Sequence, residues 1–86
     1  MELLKFYSET CNPCRMMTPI VNKVAMDLDI DVREVDVEEE SNLAKEYGVV
    51  SVPTIVLFKE GEVVEIIVGA MPLHSFEKKV KESYGI

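Results

Sequence analysis

Leu3-Leu4-Lys5-Phe6-Tyr7-Ser8-Glu9-Thr10-Cys11-Asn12-Pro13-Cys14-Arg15-Met16-Met17 is the stretch that decides how this chain is read. Leu3 to Tyr7 is a short strand, and Ser8-Glu9-Thr10 is a loop leading to Cys11. Pro13 suits the first turn of a helix, where its missing N–H is not needed. Met17, Ile20, Val21, Val24, Ala25 and Leu28 then recur at helical spacing. The spacing predicts a helix from about Pro13 to Leu28, bent at Pro19. Cys11 and Cys14, the only cysteines, therefore sit at the mouth of a helix. Unpaired N–H groups and the positive dipole end favour an anion there, so the Cys11 thiol should titrate below its free value of about 8.5. That makes Cys11 the attacking thiolate. Cys14, one turn in and less exposed, is the resolving thiol that breaks a mixed disulfide. Asn12 and Pro13 set the stiffness of the turn and, through it, the redox poise.

Reading outward, Asp31 to Val37 alternates around Val32, Val35 and Val37 and reads as a second strand. Glu38-Glu39-Glu40 precedes a short helix with Ser41 as its expected N-cap and Gly48 as its stop. Thr54 to Phe58 is a continuous apolar strand, expected to be buried on both faces. Lys59-Glu60-Gly61-Glu62 is a hairpin turn, and Val63 to Val68 the returning strand. After Gly69-Ala70, Pro72 opens a last helix with Leu73, Phe76, Val80 and Tyr84 on one face. The order β-α-β-α-β-β-α implies an α/β fold. It should be a four-stranded mixed sheet flanked by three helices, with residues 1–86 as a single domain.

Composition narrows the function. The 86 residues are 48% hydrophobic and 29% charged, with a formal net charge of -7. No basic stripe is present, so nucleic-acid binding is not expected. No apolar run reaches about 18 residues, so no helical membrane span is expected. Met1 to Tyr7 lacks the features of a secretory signal, and the expected setting is cytoplasmic. There a lone C-x-x-C is catalytic or metal-binding rather than a structural staple. Zinc takes four ligands, and the chain offers two cysteines and His74 with no second C-x-x-C, which favours the dithiol reading. His74 reads as a solvated residue early in the last helix. Glu38-Glu39-Glu40 reads as a solvated loop, with steering of a basic partner as the alternative. Val52-Pro53-Thr54 places a proline at the start of a buried strand; a trans and a cis bond are both compatible with the residues.

Taken together these residues resemble the thioredoxin superfamily. Leu3 through Pro19 is similar to its active-site strand, loop and proline-bent helix. Tyr47-Gly48-Val49-Val50-Ser51-Val52-Pro53-Thr54 is similar to the segment ending in the family's cis-proline. Phe58-Lys59-Glu60-Gly61-Glu62 and Val68-Gly69-Ala70 resemble its hairpin and the glycine after its last strand. The likeness covers essentially the whole chain, without the additional N-terminal strand and helix of a full-length thioredoxin. It implies a cis Val52-Pro53 bond beside the dithiol. It further implies that a substrate segment pairs with the backbone of Val52, and that Gly69, Ala70 and Met71 line the docking groove.

The departures are informative. Thr10 replaces the tryptophan that precedes the first cysteine in the family and so removes apolar docking surface. Asn12-Pro13 replaces Gly-Pro. Lys5 stands where thioredoxins place a buried aspartate, and Glu34 where the neighbouring strand carries a lysine. The expected consequence is a reversed, partly buried ion pair, with Lys5 favouring the thiolate and Glu34 relaying the proton of Cys14. The alternative is that Lys5 only carries its charge to the surface. A glutathione cradle would require a Gly-Gly turn followed by acids, and Gly69-Ala70-Met71-Pro72-Leu73 offers neither. The reading is therefore a thioredoxin-type protein disulfide reductase and dithiol electron donor, monomeric and requiring no metal or organic cofactor. Its expected partners are protein disulfides and a thioredoxin-reductase-like or glutathione-based reducing system. A glutathione-dependent, glutaredoxin-like reductase is the alternative, and a non-catalytic, redox-sensitive binding module is a third reading.

Overall fold

The structure is a computed structural model that describes residues 1–86. Its strands are β1 (Glu2–Tyr7), β2 (Asp31–Asp36), β3 (Thr54–Lys59) and β4 (Glu62–Val68). Its helices are α1 (Asn12–Leu28), α2 (Ser41–Glu46) and α3 (Leu73–Tyr84). The sheet runs β2-β1-β3-β4, with β1 parallel to β2 and β3 antiparallel to both β1 and β4. This is the expected β-α-β-α-β-β-α fold.

Alternation along β1 assigns the two faces of the sheet. Leu3 points to the layer of α1 and α3. There it joins Met17, Val21 and Val24 of α1, Phe76, Val80 and Tyr84 of α3, and Ile55, Leu57 and Ile67 of the sheet, within one cluster of twelve buried residues. Phe6 points the other way, into a cluster of four with Val35, Ala44 and Val56 under α2. Tyr47 extends that smaller cluster, with ring centroids 6.0 Å from Phe6 and 5.6 Å from Phe58. Central β3 feeds both clusters, which is why Thr54 to Phe58 is apolar without alternation. Edge strand β4 buries only Ile67, leaving Val63, Ile66 and Val68 exposed.

Local chemistry sets the boundaries. The β3–β4 turn is centred on Glu60 and Gly61, at φ of 53° and 81°; positive φ at both positions is the hairpin turn that matches strand twist. Asp29 ends α1 in the left-handed region at φ 57°, a conformation a short polar side chain tolerates. Several boundaries differ from expectation by a residue, and three have a visible local cause. Helix α1 begins at Asn12 because Cys11 itself is the cap. Strand β2 ends at Asp36, whose Oδ1 accepts the N–H of Glu38 at 2.9 Å and turns the chain. Ser41 is not an N-cap: it is the first residue of α2, and the cap position is Glu40. The Glu40 side chain leaves α2 uncapped because its carboxylate is taken by Arg33, 2.7 Å away.

Candidate functional site

The dithiol sits where β1 hands over to α1. The Cys11 N–H donates to the Ser8 carbonyl at 3.2 Å, which closes the turn and leaves Cys11 in extended backbone at the N-cap. Its Sγ accepts the backbone N–H of Cys14 at 3.1 Å. A sulfur therefore occupies the position that a serine or aspartate oxygen fills in an ordinary cap, and it satisfies one of the helix's orphan donors. The two sulfurs are joined in a disulfide, with Cα atoms 5.2 Å apart. Cys14 is 2% exposed and Cys11 9%, so Cys11 is the more accessible residue of a sheltered pair. Asn12, Pro13 and Thr10 are exposed around it. The Arg15 guanidinium folds back to the Glu9 carbonyl at 2.9 Å and ties the loop before the dithiol to the helix after it.

A second segment faces this turn. The Val52-Pro53 bond is cis, which resolves what the residues alone leave open. Pro53 is buried, and its carbonyl accepts the N–H of Gly69 at 2.9 Å, joining the Pro53 loop to the end of β4. Gly69 holds φ 91°, a conformation that favours glycine. Ser8 lines one cavity with Val37 and Glu38 after β2 and with Val49, Val50, Ser51 and Val52, so the turn before Cys11 and the loop before Pro53 share it. Val50 is 96% exposed on that loop; sequence reasoning misses it, although an apolar pair at Val49-Val50 in a loop is a visible signal. Along α1, Met16, Met17 and Ile20 meet Ala70, Met71 and Pro72 around an apolar hollow of ≈ 390 Å³. Ala70 is exposed at its rim, whereas Met71 is half-buried against the main cluster with its N–H toward Met17 Sδ at 3.5 Å. The structure thus brings Gly69 to Pro53, and sets Ala70 and Met71 beside α1.

Beneath the dithiol lies a polar cavity of ≈ 370 Å³, lined by Lys5, Tyr7, Ser8, Glu9, Cys14, Arg15, Thr18 and Glu34. Lys5 and Glu34 are direct partners in the β1–β2 register. The Lys5 Nζ is 3.7 Å from Glu34 Oε1, with Lys5 3% and Glu34 48% exposed. The Lys5 side chain is therefore buried in place rather than led out along the surface. Its ammonium donates to Thr18 Oγ1, and the Thr18 hydroxyl donates on to the Cys14 carbonyl at 3.3 Å. Thr18 is the residue of this site that sequence reasoning does not single out. Burial raises the Tyr7 hydroxyl pKa, and the carboxylates of Asp36, Glu34, Glu39 and Glu9 raise it further, which marks this flank as acidic. No three His, Cys, Asp or Glu side chains are grouped so that they could hold a metal ion. His74 is exposed on α3.

Comparison with known proteins places this arrangement. The thioredoxin family model matches residues 1–82. The chain is 34% identical over 82 residues to a thioredoxin of Porphyra purpurea, covering 93% of this chain and 77% of that protein. It is 35% identical over 85 residues to a thioredoxin of Chlorobaculum thiosulfatiphilum, covering 96% and 79%. Among solved structures, a mutant thioredoxin from Halobacterium salinarum superposes with a TM-score of 0.88 at 39% identity, over 95% of this chain and 73% of that one. Thioredoxin 1 from Thermosipho africanus superposes at 0.87 with 20% identity, over 99% and 96%, a likeness of fold alone. The chain belongs to the thioredoxin family. With Cys11 and Cys14 at bonding distance in that fold, it is a thiol–disulfide oxidoreductase of the disulfide-reducing type.

Proposed function

We propose that the reduced chain reduces protein disulfides in two steps. The Cys11 thiolate attacks one sulfur of a substrate disulfide, forming a mixed disulfide and releasing the first substrate thiolate, which takes a proton. Cys14 then loses its proton and attacks Cys11 Sγ. The second substrate thiol leaves, and a Cys11–Cys14 disulfide remains that holds the two oxidising equivalents. The carrying observation is the cap geometry: the sulfur of Cys11 takes the N–H of Cys14 at 3.1 Å, a contact that favours a thiolate at that position. Asn12 and Pro13 hold the turn. Thr10, Val52, Pro53, Gly69, Ala70 and Met71 receive the substrate, whose extended backbone pairs with Val52. Lys5 favours the thiolate form of Cys14, and Glu34 passes the released proton to solvent; their separation of 3.7 Å supports this pairing.

The oxidised form is recycled by a reductase rather than by glutathione, in the cytoplasm, and the chain works as a monomeric electron donor in redox homeostasis. The apolar rim at Met16, Ala70 and Pro72 supports a protein partner. Two measurements test the reading. Cys14→Ser should trap a mixed disulfide at Cys11, and Cys11→Ser should trap none. Equilibration in defined thiol buffers should place the couple near about −270 mV; a value of about −200 to −230 mV would favour glutathione as donor. Trapping at Cys14 instead of Cys11 would reverse the roles.

A further inference from the structure

We propose that Thr18 is a positioning residue for the second step, holding the Lys5 ammonium against the Cys14 turn so that Cys14 loses its proton more readily. The inference rests on the two-step exchange proposed above. Lys5 is almost wholly buried, and a buried ammonium needs partners. Its only carboxylate partner, Glu34, stands 3.7 Å away and half in solvent, so it fixes the Nζ weakly. Thr18 supplies the fixed partner: its hydroxyl accepts from Lys5 Nζ and donates to the Cys14 carbonyl at 3.3 Å. A hydroxyl has one proton to give and lone pairs to receive, so both bonds form together and polarise one another. A threonine within a helix reaches the carbonyl four residues back, and that carbonyl here belongs to the resolving cysteine. The cation on β1 is in this way tied to the turn on α1.

The other groups facing the cavity do not substitute for it. Arg15, from α1, is turned to the Glu9 carbonyl at 2.9 Å. The carboxyl groups of Glu9 and Glu34 offer a thiolate no positive charge, and the hydroxyls of Tyr7 and Ser8 carry none. Lys5 is the one cation placed to stabilise it. When Cys14 ionises, its proton leaves through this polar cavity, which opens to solvent at the exposed carboxylate of Glu34.

The test uses an aryl disulfide that releases one coloured thiolate on attack by Cys11 and a second on attack by Cys14, followed by stopped flow across a pH series. In Thr18→Val the second phase should slow about tenfold at neutral pH, its profile moving up by about one pH unit, while the first phase is unchanged. Thr18→Ser, which restores the hydroxyl, should recover the profile. In a Lys5→Met background, Thr18→Val should add no further shift, because Thr18 acts through Lys5. A second-phase profile in Thr18→Val that overlays the unsubstituted protein overturns the role of Thr18 alone, as does a Thr18→Ser variant that behaves like valine. Absence of a second phase in the unsubstituted protein overturns the exchange reading and this inference with it.

Discussion

Phe6 and Phe76 are both fully buried, yet they lie on opposite faces of the sheet in unequal company. Phe76 sits among twelve buried residues between α1, α3 and the strands. Phe6 sits among four, under the six residues of α2, with partly exposed side chains such as Val49 and Tyr47 closing the edge. The difference matters because each layer holds one wall of the site. The dithiol hangs from α1, whose Cys14, Met17, Val21 and Val24 are rooted in or beside the large cluster. The Pro53 loop hangs from α2, through Gly48 and the Val49 N–H bonded to the Ala44 carbonyl at 2.9 Å. The reactive turn thus faces a loop set on a thinner base, so the two walls should differ in how readily they yield.

Truncating the two phenylalanines is the strongest way to break this contrast. Phe76→Ala should cost about 4–5 kcal/mol, because close neighbours on all sides keep the cavity open. Phe6→Ala should cost about 3 kcal/mol, since Val49, Tyr47 and Leu43 can settle into the space. Denaturant midpoints with unchanged slopes would measure both. Equal costs, or a larger one for Phe6, would show that the layers are equally rigid and remove the argument.

A smaller effect sharpens the comparison at the helix ends. Gly48 ends α2 at φ 69° and Gly85 ends α3 at φ 73°, and a Cβ at either would meet nothing within 4 Å. Alanine there introduces backbone strain without a clash, worth about 1–2 kcal/mol. Gly48→Ala should bear the full cost, because its neighbours on both sides are held by α2 and by Val49. Gly85→Ala should cost less, because only Ile86 follows and the end of α3 can unwind. Thermal melts of the two variants decide, and a smaller cost at Gly48 would mean that the α2 end yields despite the bonds of Gly48 and Val49 to α2.

The same contrast explains what the sequence disclosed. Elements rooted in the large cluster announce themselves through periodicity: the Met17, Val21, Val24 and Phe76, Val80, Tyr84 series fall on the buried faces of α1 and α3. The two cysteines were legible because dithiol chemistry requires those residue types at that spacing, and the Val52-Pro53-Thr54 segment through its resemblance to the family. Short α2 carries a weaker signal. Ser41 looks like a cap, but the start of a six-residue helix is settled by tertiary contacts, here Arg33 holding Glu40. The opposition of Lys5 and Glu34 could be anticipated only through family likeness, since strand register is not written in either strand alone. Thr18 was illegible for a related reason. A threonine within a helix is commonplace, and its meaning comes from the lysine that β1 sets beneath it.

The least of the expected effects concerns the polar end of the thick layer. The Tyr84 hydroxyl donates to the Glu2 carbonyl at 2.8 Å and pins α3 to the start of β1. Tyr84→Phe should lose about 1 kcal/mol at neutral pH, the net worth of one such bond. Burial raises the Tyr84 pKa and the Glu2 carboxylate adds to this, against a backbone hydrogen bond at Phe58 that lowers it. The folded state therefore binds the phenolic proton more tightly than the unfolded chain does. That contribution is fully present below the unfolded value of about 10 and is lost as the pH rises through the folded one. Urea melts from neutral pH to beyond pH ~10 should show stability falling in the parent, and falling less in Tyr84→Phe. Tyr7, on the acidic flank and partly exposed, shifts in the same direction but is screened by solvent, so Tyr7→Phe should change the alkaline decline less than Tyr84→Phe does. The reverse order would place the more strongly held phenol beside the dithiol, and make the active-site flank the drier of the two environments.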